Sequence, residues 1–397
     1  MADDSHEPED DIEPEGADDG SSAEAGGNGP GGSRSAFEGG VDTSQRRVER
    51  LTNYGIAAAA VALLAGVLVG LVSPTYLLFL VSLAGMYALL SLGLNVQWGY
   101  AGLINFSVAA FFGLGAYVPA LLSASGSPLP WDVSPIAGLF VAVAATVVLA
   151  LAIGIPTLSL REDYLAIASL GLAEVLRLVV RNQQSWTNGT NGIGGIPLFF
   201  EGVPVLGTFA SDVGTVDLGI YTLGYQFWNG LLNFAIVAGF VVVSYVVLRR
   251  VHRSPWGRVL RTIRSDEDLA EALGKNTYAF RMQAFVLGSV VAMLAGVYYS
   301  YSNYFITPGI FDPIFTFYAW IAVILGGSGS NRGALFGGVV IVAIVEGSRG
   351  LGVGASWRLF AVGALIIAVM RFRPQGVLPP RKELIWPGAH RGGETDE

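Results

Sequence analysis

"AIVAGFVVVSYVVLRRVHRSPWGRVLRTIRSDEDLAEALGKN", residues 235–276, changes character twice. It opens as an apolar run, passes six arginines between Arg249 and Arg264, and ends in a segment, 264–276, that carries six ionised side chains. With the residues just before it, the run over 227–250 is long enough to cross a hydrocarbon core as a helix. Short cytoplasmic loops collect Lys and Arg, so the arginines mark the inner end of that crossing. The fold class turns on this reading: a helix that spans a membrane and delivers a dense polar segment to one side.

The rest of the chain agrees. Of its 397 residues 52% are hydrophobic and 14% charged, against roughly 25% charged in soluble proteins. Ten candidate spans follow, near 54–72, 75–94, 101–124, 135–156, 163–181, 227–250, 278–301, 313–327, 333–348 and 355–372. The eighth and ninth are short, as tilted or broken helices are. Arg46, Arg47 and Arg50 precede the first span, and Arg371, Arg373, Arg381 and Lys382 follow the last. The stretch 182–226 has no Lys or Arg. Five spans lead from an inside N-terminus to that outer loop, and four separate the basic loop from the C-terminus, so the topology closes with both termini cytoplasmic. The expected fold is an all-α, polytopic transmembrane bundle over 51–375, with the outer loop at 182–226 and a cytoplasmic loop at 251–277. A cytoplasmic tail follows at 376–397.

Charge is divided unevenly. Residues 1–42 sum to −12 and the remainder to +4. The first 50 residues, acidic and rich in Gly, Pro and Ser at their start, are expected to form a disordered cytoplasmic tail. They hold no apolar segment of the secretory kind. Such tails occur in high-salt settings. The chain has no cysteine, which excludes disulfides and thiol chemistry. His6, His252 and His390 lie outside the spans, so no metal site is expected. Lipid is an expected partner and nucleic acid is not.

Within 264–276, Ser265 is placed to cap a short helix, with Asp268 completing an approximate capping box. Asp266 and Glu267 suit the positive end of its dipole, and Gly274 its stop. Leu269, Ala272 and Leu273 share a face. Upstream, Arg258, Arg261 and Arg264 recur every third residue beside Trp256, the pattern of a basic segment on an anionic leaflet. A short helix with an apolar face suits a groove on a partner; an ordinary solvated loop is the plainer alternative.

"EALGKN" at 271–276 resembles the coupling loop of ATP-binding-cassette permeases. "GLNVQWGYAGLINFSVAAFFGLGAYVPALL" (93–122), "REDYLAIASLGLAEVLRLVVRNQQSWTNGTNGIGGIP" (161–197), "SPWGRVLRTIRSDEDLAEALGKN" (254–276) and "WIAVILGGSGSNRGALFGG" (320–338) resemble, in order, the signatures of the branched-chain amino-acid permeases, the longer of the two types. The resemblance covers about 75–375. It implies an importer subunit in the plasma membrane, for leucine, isoleucine and valine, with no enzymatic activity of its own. It further implies a companion permease of the same family, two ATPase subunits that bind the ATP, and an extracytoplasmic solute-binding protein. Contact with the ATPase would involve Glu267, Leu269, Glu271, Ala272, Leu273 and Gly274. No G-x-x-x-x-G-K-[ST] loop occurs, so ATP must be hydrolysed elsewhere and this chain needs no cofactor.

Pathway or packing positions are Asn95, Gln97, Gly99, Gly102, Asn105, Gly326, Gly327 and Gly329. Small residues let helices approach in lipid, and the run near 99–105 suits a broken helix. Glu174 and Arg177, one turn apart, either pair with each other or meet a zwitterionic substrate. Trp186, Thr190, Asn191 and Gly192 form a candidate outer docking loop, and Asn188–Gly189–Thr190 is a sequon there, best explained by turn chemistry. Urea, short amides or other amino acids are alternative cargoes within the family. An ion-driven secondary transporter would need an acidic site deep in the membrane, for which Glu174 is the candidate. An intramembrane enzyme lacks its catalytic residues.

Overall fold

The computed structural model describes residues 65–129, 131–160, 162–350 and 375–379, with isolated positions between and just outside these stretches. The acidic tail, most of the first and last expected spans, and residues 380–397 lie outside the described residues.

The helices used below are α1 (Pro74–Leu94), α2 (Val108–Ser123), α3 (Pro135–Thr157), α4 (Glu162–Asn182), α5 (Tyr225–Arg253), α6 (Pro255–Ser265), α7 (Glu267–Ala272), α8 (Thr277–Asn303), α9 (Ile314–Gly326) and α10 (Asn331–Gly350). Five of the described helices are long and apolar enough to cross a membrane: α1 with its continuation to Tyr100, α3, α5, α8 and α10. α2 and α9 are apolar but shorter. This is a multi-pass helical membrane protein.

Three helices begin with the same device. Ser73, Ser134 and Ser254 each precede a proline, and each side chain accepts from the amide three residues on, at 3.2, 3.4 and 3.4 Å. The serine satisfies one orphan donor of the first turn, and proline, which lacks an N–H, begins the helix at no loss.

α1 and α8 are the inner pair, with 56% and 61% of their spanning windows buried; α3 and α5, at 28% and 22%, are peripheral. Their crossing depends on glycine. A Cβ on Gly93 would sit 2.5 Å from the Gly288 carbonyl oxygen, and one on Gly288 would sit 2.4 Å from that of Gly93. In lipid such close backbone approach takes the place of hydrophobic collapse.

The expected span at 101–124 does not form as drawn. α1 runs on into a π-helical turn, Asn95–Tyr100, and the chain is then non-helical until α2 starts at Val108. Gly102, at φ +74°, makes the break possible. At the opposite end, Ile193–Gly194 pairs antiparallel with Phe305–Ile306 and ties the long loop to the end of α8.

Candidate functional site: the helix break and the arginine-rich loop

Backbone that leaves helical geometry at membrane depth must find other hydrogen-bond partners. Between Asn95 and Ser107 it does so through buried side chains. Asn105 is the hub: its Nδ2 donates to Gln97 Oε1 at 2.8 Å, and its Oδ1 accepts from Ser107 N and Oγ at 2.7 and 2.6 Å. Gln97 Nε2 donates to the Phe285 carbonyl (2.9 Å) and to Ser289 Oγ (3.1 Å) on α8. From α9, Trp320 Nε1 reaches the Asn105 carbonyl at 3.0 Å, and Thr316 Oγ1 accepts from Ala109 N at 2.8 Å. From α4, Ser169 Oγ accepts from Phe106 N at 2.9 Å. Three helices, α4, α8 and α9, therefore hold the break in shape.

Asn95 faces the second irregular turn, between α9 and α10. Its Oδ1 accepts from Gly329 N at 2.8 Å, and its Nδ2 donates to Asn331 Oδ1 at 3.2 Å, which Tyr100 Oη also reaches. Gly99 lies in this contact: a Cβ there would be 2.2 Å from Asn95 Oδ1 and 2.6 Å from Gly329 N. Gly327 and Gly329 have φ of +111° and +83°, and Gly326 abuts Gly333. The last carbonyls of α9, at Leu325 and Gly326, accept from Val377 and Leu378, each at 2.9 Å, so the described C-terminal segment caps that helix.

The arginine-rich loop plugs into this junction. Arg264, at the end of α6, donates through Nη1 to the Gly99 carbonyl and through Nη2 to Ser328 Oγ at 3.2 Å. Its carbon stem lies against Gly102. Burial of the guanidinium lowers its pKa. Both acceptors are neutral. One side chain thus bridges the π turn of α1 and the α9–α10 turn. Beyond the expected basic segment at an anionic leaflet, Arg264 thus also bonds to the bundle. Arg261 also turns inward, to the His252 carbonyl at 3.0 Å, and Trp256 Nε1 donates to Gln283 Oε1 at 2.6 Å. Arg258 and Arg264 are both exposed over much of their surface, and Arg264 differs in the two bonds it makes to the bundle.

α7 follows directly. Its cap is Asp266, whose Oδ1 accepts from Leu269 N at 2.9 Å, and not Ser265, whose hydroxyl donates back to the Thr262 carbonyl. α6 runs through Ser265, which leaves the aspartate as the first residue in extended geometry. Gly274, at φ +73°, ends α7: its N–H goes to the Glu271 carbonyl and that of Lys275 to the Ala270 carbonyl, the paired bonds of a Schellman stop. Two of the acidic side chains are used to tie α7 to α8, while Asp268 is exposed. Glu267 takes both bonds from Arg281 Nη1, at 2.8 and 2.9 Å, and Glu271 Oε1 accepts from Thr277 Oγ1 at 2.7 Å. Ala270 is buried, Ala272 is exposed, and Leu269 and Leu273 are 50% and 65% exposed.

The remaining candidates lie apart from this junction. Glu174 and Arg177 form a two-bond pair with each other, Nε–Oε2 2.8 Å and Nη2–Oε1 2.5 Å. Trp186, Thr190 and Asn191 are exposed on the long loop. Gly192 is buried, with the Ile306 carbonyl oxygen 2.3 Å from where its Cβ would be, so it shapes the loop without presenting a side chain. Asn188 Nδ2 donates to the Gly192 carbonyl at 2.7 Å, which accounts for the sequon as turn chemistry. Sequence reading missed Arg264, Ser289, Thr316, Trp320 and Asn331, because single serines, threonines and arginines do not announce a partner some 200 residues away.

A family model described as "Branched-chain amino acid transport system / permease component" matches residues 76–370, which takes in the break, the arginine-rich loop and the α9–α10 turn. The chain belongs to this permease family. A relative from Escherichia coli strain K12, the high-affinity branched-chain amino acid transport system permease protein LivM, is 32% identical over 75% of this chain and 69% of its own length. A probable LivM permease from Methanocaldococcus jannaschii is 26% identical over 76% of this chain and 93% of its own. LivH from Escherichia coli strain K12 is 26% identical over 75% and 92%. No solved structure matches. In this permease the family's glycine-rich stretches meet at one place, and the arginine-rich loop is bonded to it.

Proposed function

We propose that the permease is the membrane subunit of an ATP-driven importer of branched-chain amino acids. In this reading it stands in the plasma membrane, with α6 and α7 on the cytoplasmic side and the 182–226 loop outside. Its relatives carry the names of branched-chain amino acid permeases of two kinds, which supports a companion permease beside it. An ATPase pair and an extracytoplasmic binding protein complete the assembly.

One observation carries the coupling assignment. α7 ties Glu267 and Glu271 to Arg281 and Thr277 of α8, yet leaves Asp268, Leu269 and Leu273 exposed on a helix fixed at both ends. A capped six-residue helix with two free leucines is a preformed apolar plug for a groove on a partner. Movement of that plug reaches the bundle through Arg264, which is bonded to both irregular turns. The helix break and the α9–α10 turn are joined by a completed hydrogen-bond network, which would pass such a displacement along as a unit. Nothing here calls for covalent chemistry in this chain.

The deciding experiment is labelled-leucine uptake by the reconstituted system, with and without Leu273→Asp. Loss of uptake and of stimulated ATP hydrolysis, at a normal level of assembled permease, is expected. Uptake that survives ATP depletion but collapses with an ionophore would overturn the ATP-driven reading in favour of a secondary transporter. Uptake of urea or acetamide in place of leucine would overturn the cargo alone.

A further inference from the structure

A cavity of about 700 Å³ lies at the end remote from the arginine-rich loop, between the N-terminal parts of α1 and α5 and the C-terminal parts of α8 and α10. Its volume is in the range of small-molecule sites. Phe79, Leu83, Met86 and Val345 give it an apolar wall. Set into that wall is an ion pair, Glu346 with Arg349, in which the carboxylate is only 7% exposed and the guanidinium 57%. Among the described residues, Arg349 bonds to Glu346 through Nη1 alone, so this five-donor group has further N–H groups to offer there.

A third group completes the pattern. Asn229 is 9% exposed; its Nδ2 donates to Tyr304 Oη, while its Oδ1 has no partner among the described residues. A buried acceptor left unmade costs about 1–3 kcal/mol. Tyr304 itself is held at φ +57°, a conformation most side chains avoid. Strain and unmet hydrogen bonding in one cavity are the marks of a place built around something else.

We propose that this cavity is a binding station for the zwitterion of a branched-chain amino acid, entered before the substrate reaches the helix break. The ammonium group supplies the donors that Asn229 Oδ1 lacks and that Glu346 attracts. The carboxylate takes the free donors of Arg349. The branched side chain lies on Phe79, Leu83 and Met86. The inference rests on the branched-chain reading above for its cargo, but not on the coupling loop.

The test uses the assembled transporter in nanodiscs, without nucleotide, and L-photo-leucine, whose side-chain diazirine labels what it lies against. Mass spectrometry is expected to find the adduct on the peptide holding Leu83 and Met86, removed by excess leucine. Leucinol, which lacks the carboxylate, should compete about tenfold less well, the effect of one lost interaction of ~1.4 kcal/mol. Arg349→Gln and Asn229→Leu should each reduce the adduct at least about fivefold, and Asn229→Asp, which keeps an acceptor, should retain it. If Arg349→Gln does not assemble, the two Asn229 variants decide. Label only elsewhere, label that neither leucine nor acetamide displaces, or equal label in Asn229→Leu overturns the site. Displacement by acetamide but not by leucine overturns the amino-acid cargo and leaves the cavity as a site. Because no ATP is present, an inactive coupling loop cannot produce either result.

Discussion

The junction at the arginine-rich end and the cavity at the other end use the same materials: amides, hydroxyls and an arginine set in apolar surroundings. They treat hydrogen bonds in opposite ways. Asn95, Gln97 and Asn105 are buried and each uses both ends of its amide within the protein. Asn229 uses one end and leaves the other without a partner. A completed buried network fixes a unique geometry and passes displacement along it, whereas a half-satisfied one is costly until a ligand completes it. On the proposals made above, the permease divides its labour along the bundle, with rigid linkage at one end and recognition at the other.

The sharpest way to break that contrast is to remove the close approach on which the junction depends. Gly99→Val would put side-chain atoms into Asn95 Oδ1 and the Gly329 amide. Overpacking of this kind costs about 1–3 kcal/mol or more, and it falls where two irregular turns are joined. The expected outcome is a large fall in the melting temperature of the purified permease and little assembled protein in the membrane. A normal melt would mean that the two turns are free to separate.

Arg264→Met comes next. It keeps much of the stem against Gly102 but loses the donors to the Gly99 carbonyl and Ser328, bonds that are worth about 1.5–3 kcal/mol when the donor is charged. Uptake should fall at least about tenfold while the protein still assembles and hydrolysis is still stimulated, the signature of lost transmission. Arg264→Lys keeps the charge but cannot fork to both acceptors, so it should recover only part of the uptake. Full uptake in Arg264→Met would show that the coupling loop acts by another route.

Leu273→Asp is expected to leave the melting temperature within the range of a surface change, about ±0.5 kcal/mol, since the side chain is largely exposed. Uptake should nevertheless be lost. Asp266→Ala acts through folding instead. Removing a helix cap costs about 1 kcal/mol, and faster amide exchange is expected within α7, with uptake reduced but not abolished. Asp266→Asn, which still accepts from Leu269 N, should resemble the parent. These two substitutions separate the contact that α7 makes from the shape that lets it make it.

How much of this could be read beforehand follows the range of the interactions. Features set by near neighbours were legible: the apolar runs and Gly274 at the end of α7. Asn95, Gln97 and Asn105 were singled out as polar residues in an apolar run, though their partners on α8, α9 and the α9–α10 turn were not. Even the broken helix was foreshadowed by the glycines around it. The cap moved by one residue, from Ser265 to Asp266, because helix ends shift when the preceding helix runs longer than its pattern suggests. The bonds of Arg264 were missed for a physical reason. Arginines three apart mark a surface face on an isolated helix, and only the position of the break in α1 decides that one of them, still largely exposed, reaches a carbonyl of the bundle. The cavity was illegible because Asn229, Glu346 and Arg349 come from helices distant in sequence, and none is unusual in its own window.

The smallest expected effect comes from a pair that imitates the cavity's chemistry without its setting. Glu174–Arg177 and Glu346–Arg349 have the same i, i+3 spacing, but the Glu174 side chain is 36% exposed and that of Glu346 is 7%. In the first pair both partners are satisfied by each other through two bonds. A partly exposed helical ion pair of this kind contributes below about 1 kcal/mol. Glu174→Gln should therefore shift the melting temperature little and leave leucine uptake within about twofold, the range such a small energy allows. If uptake collapsed instead, with the protein still assembled, then charge on α4 would be taking part in recognition. The division of labour between the two ends would have to be redrawn around the helix that Ser169 joins to the break.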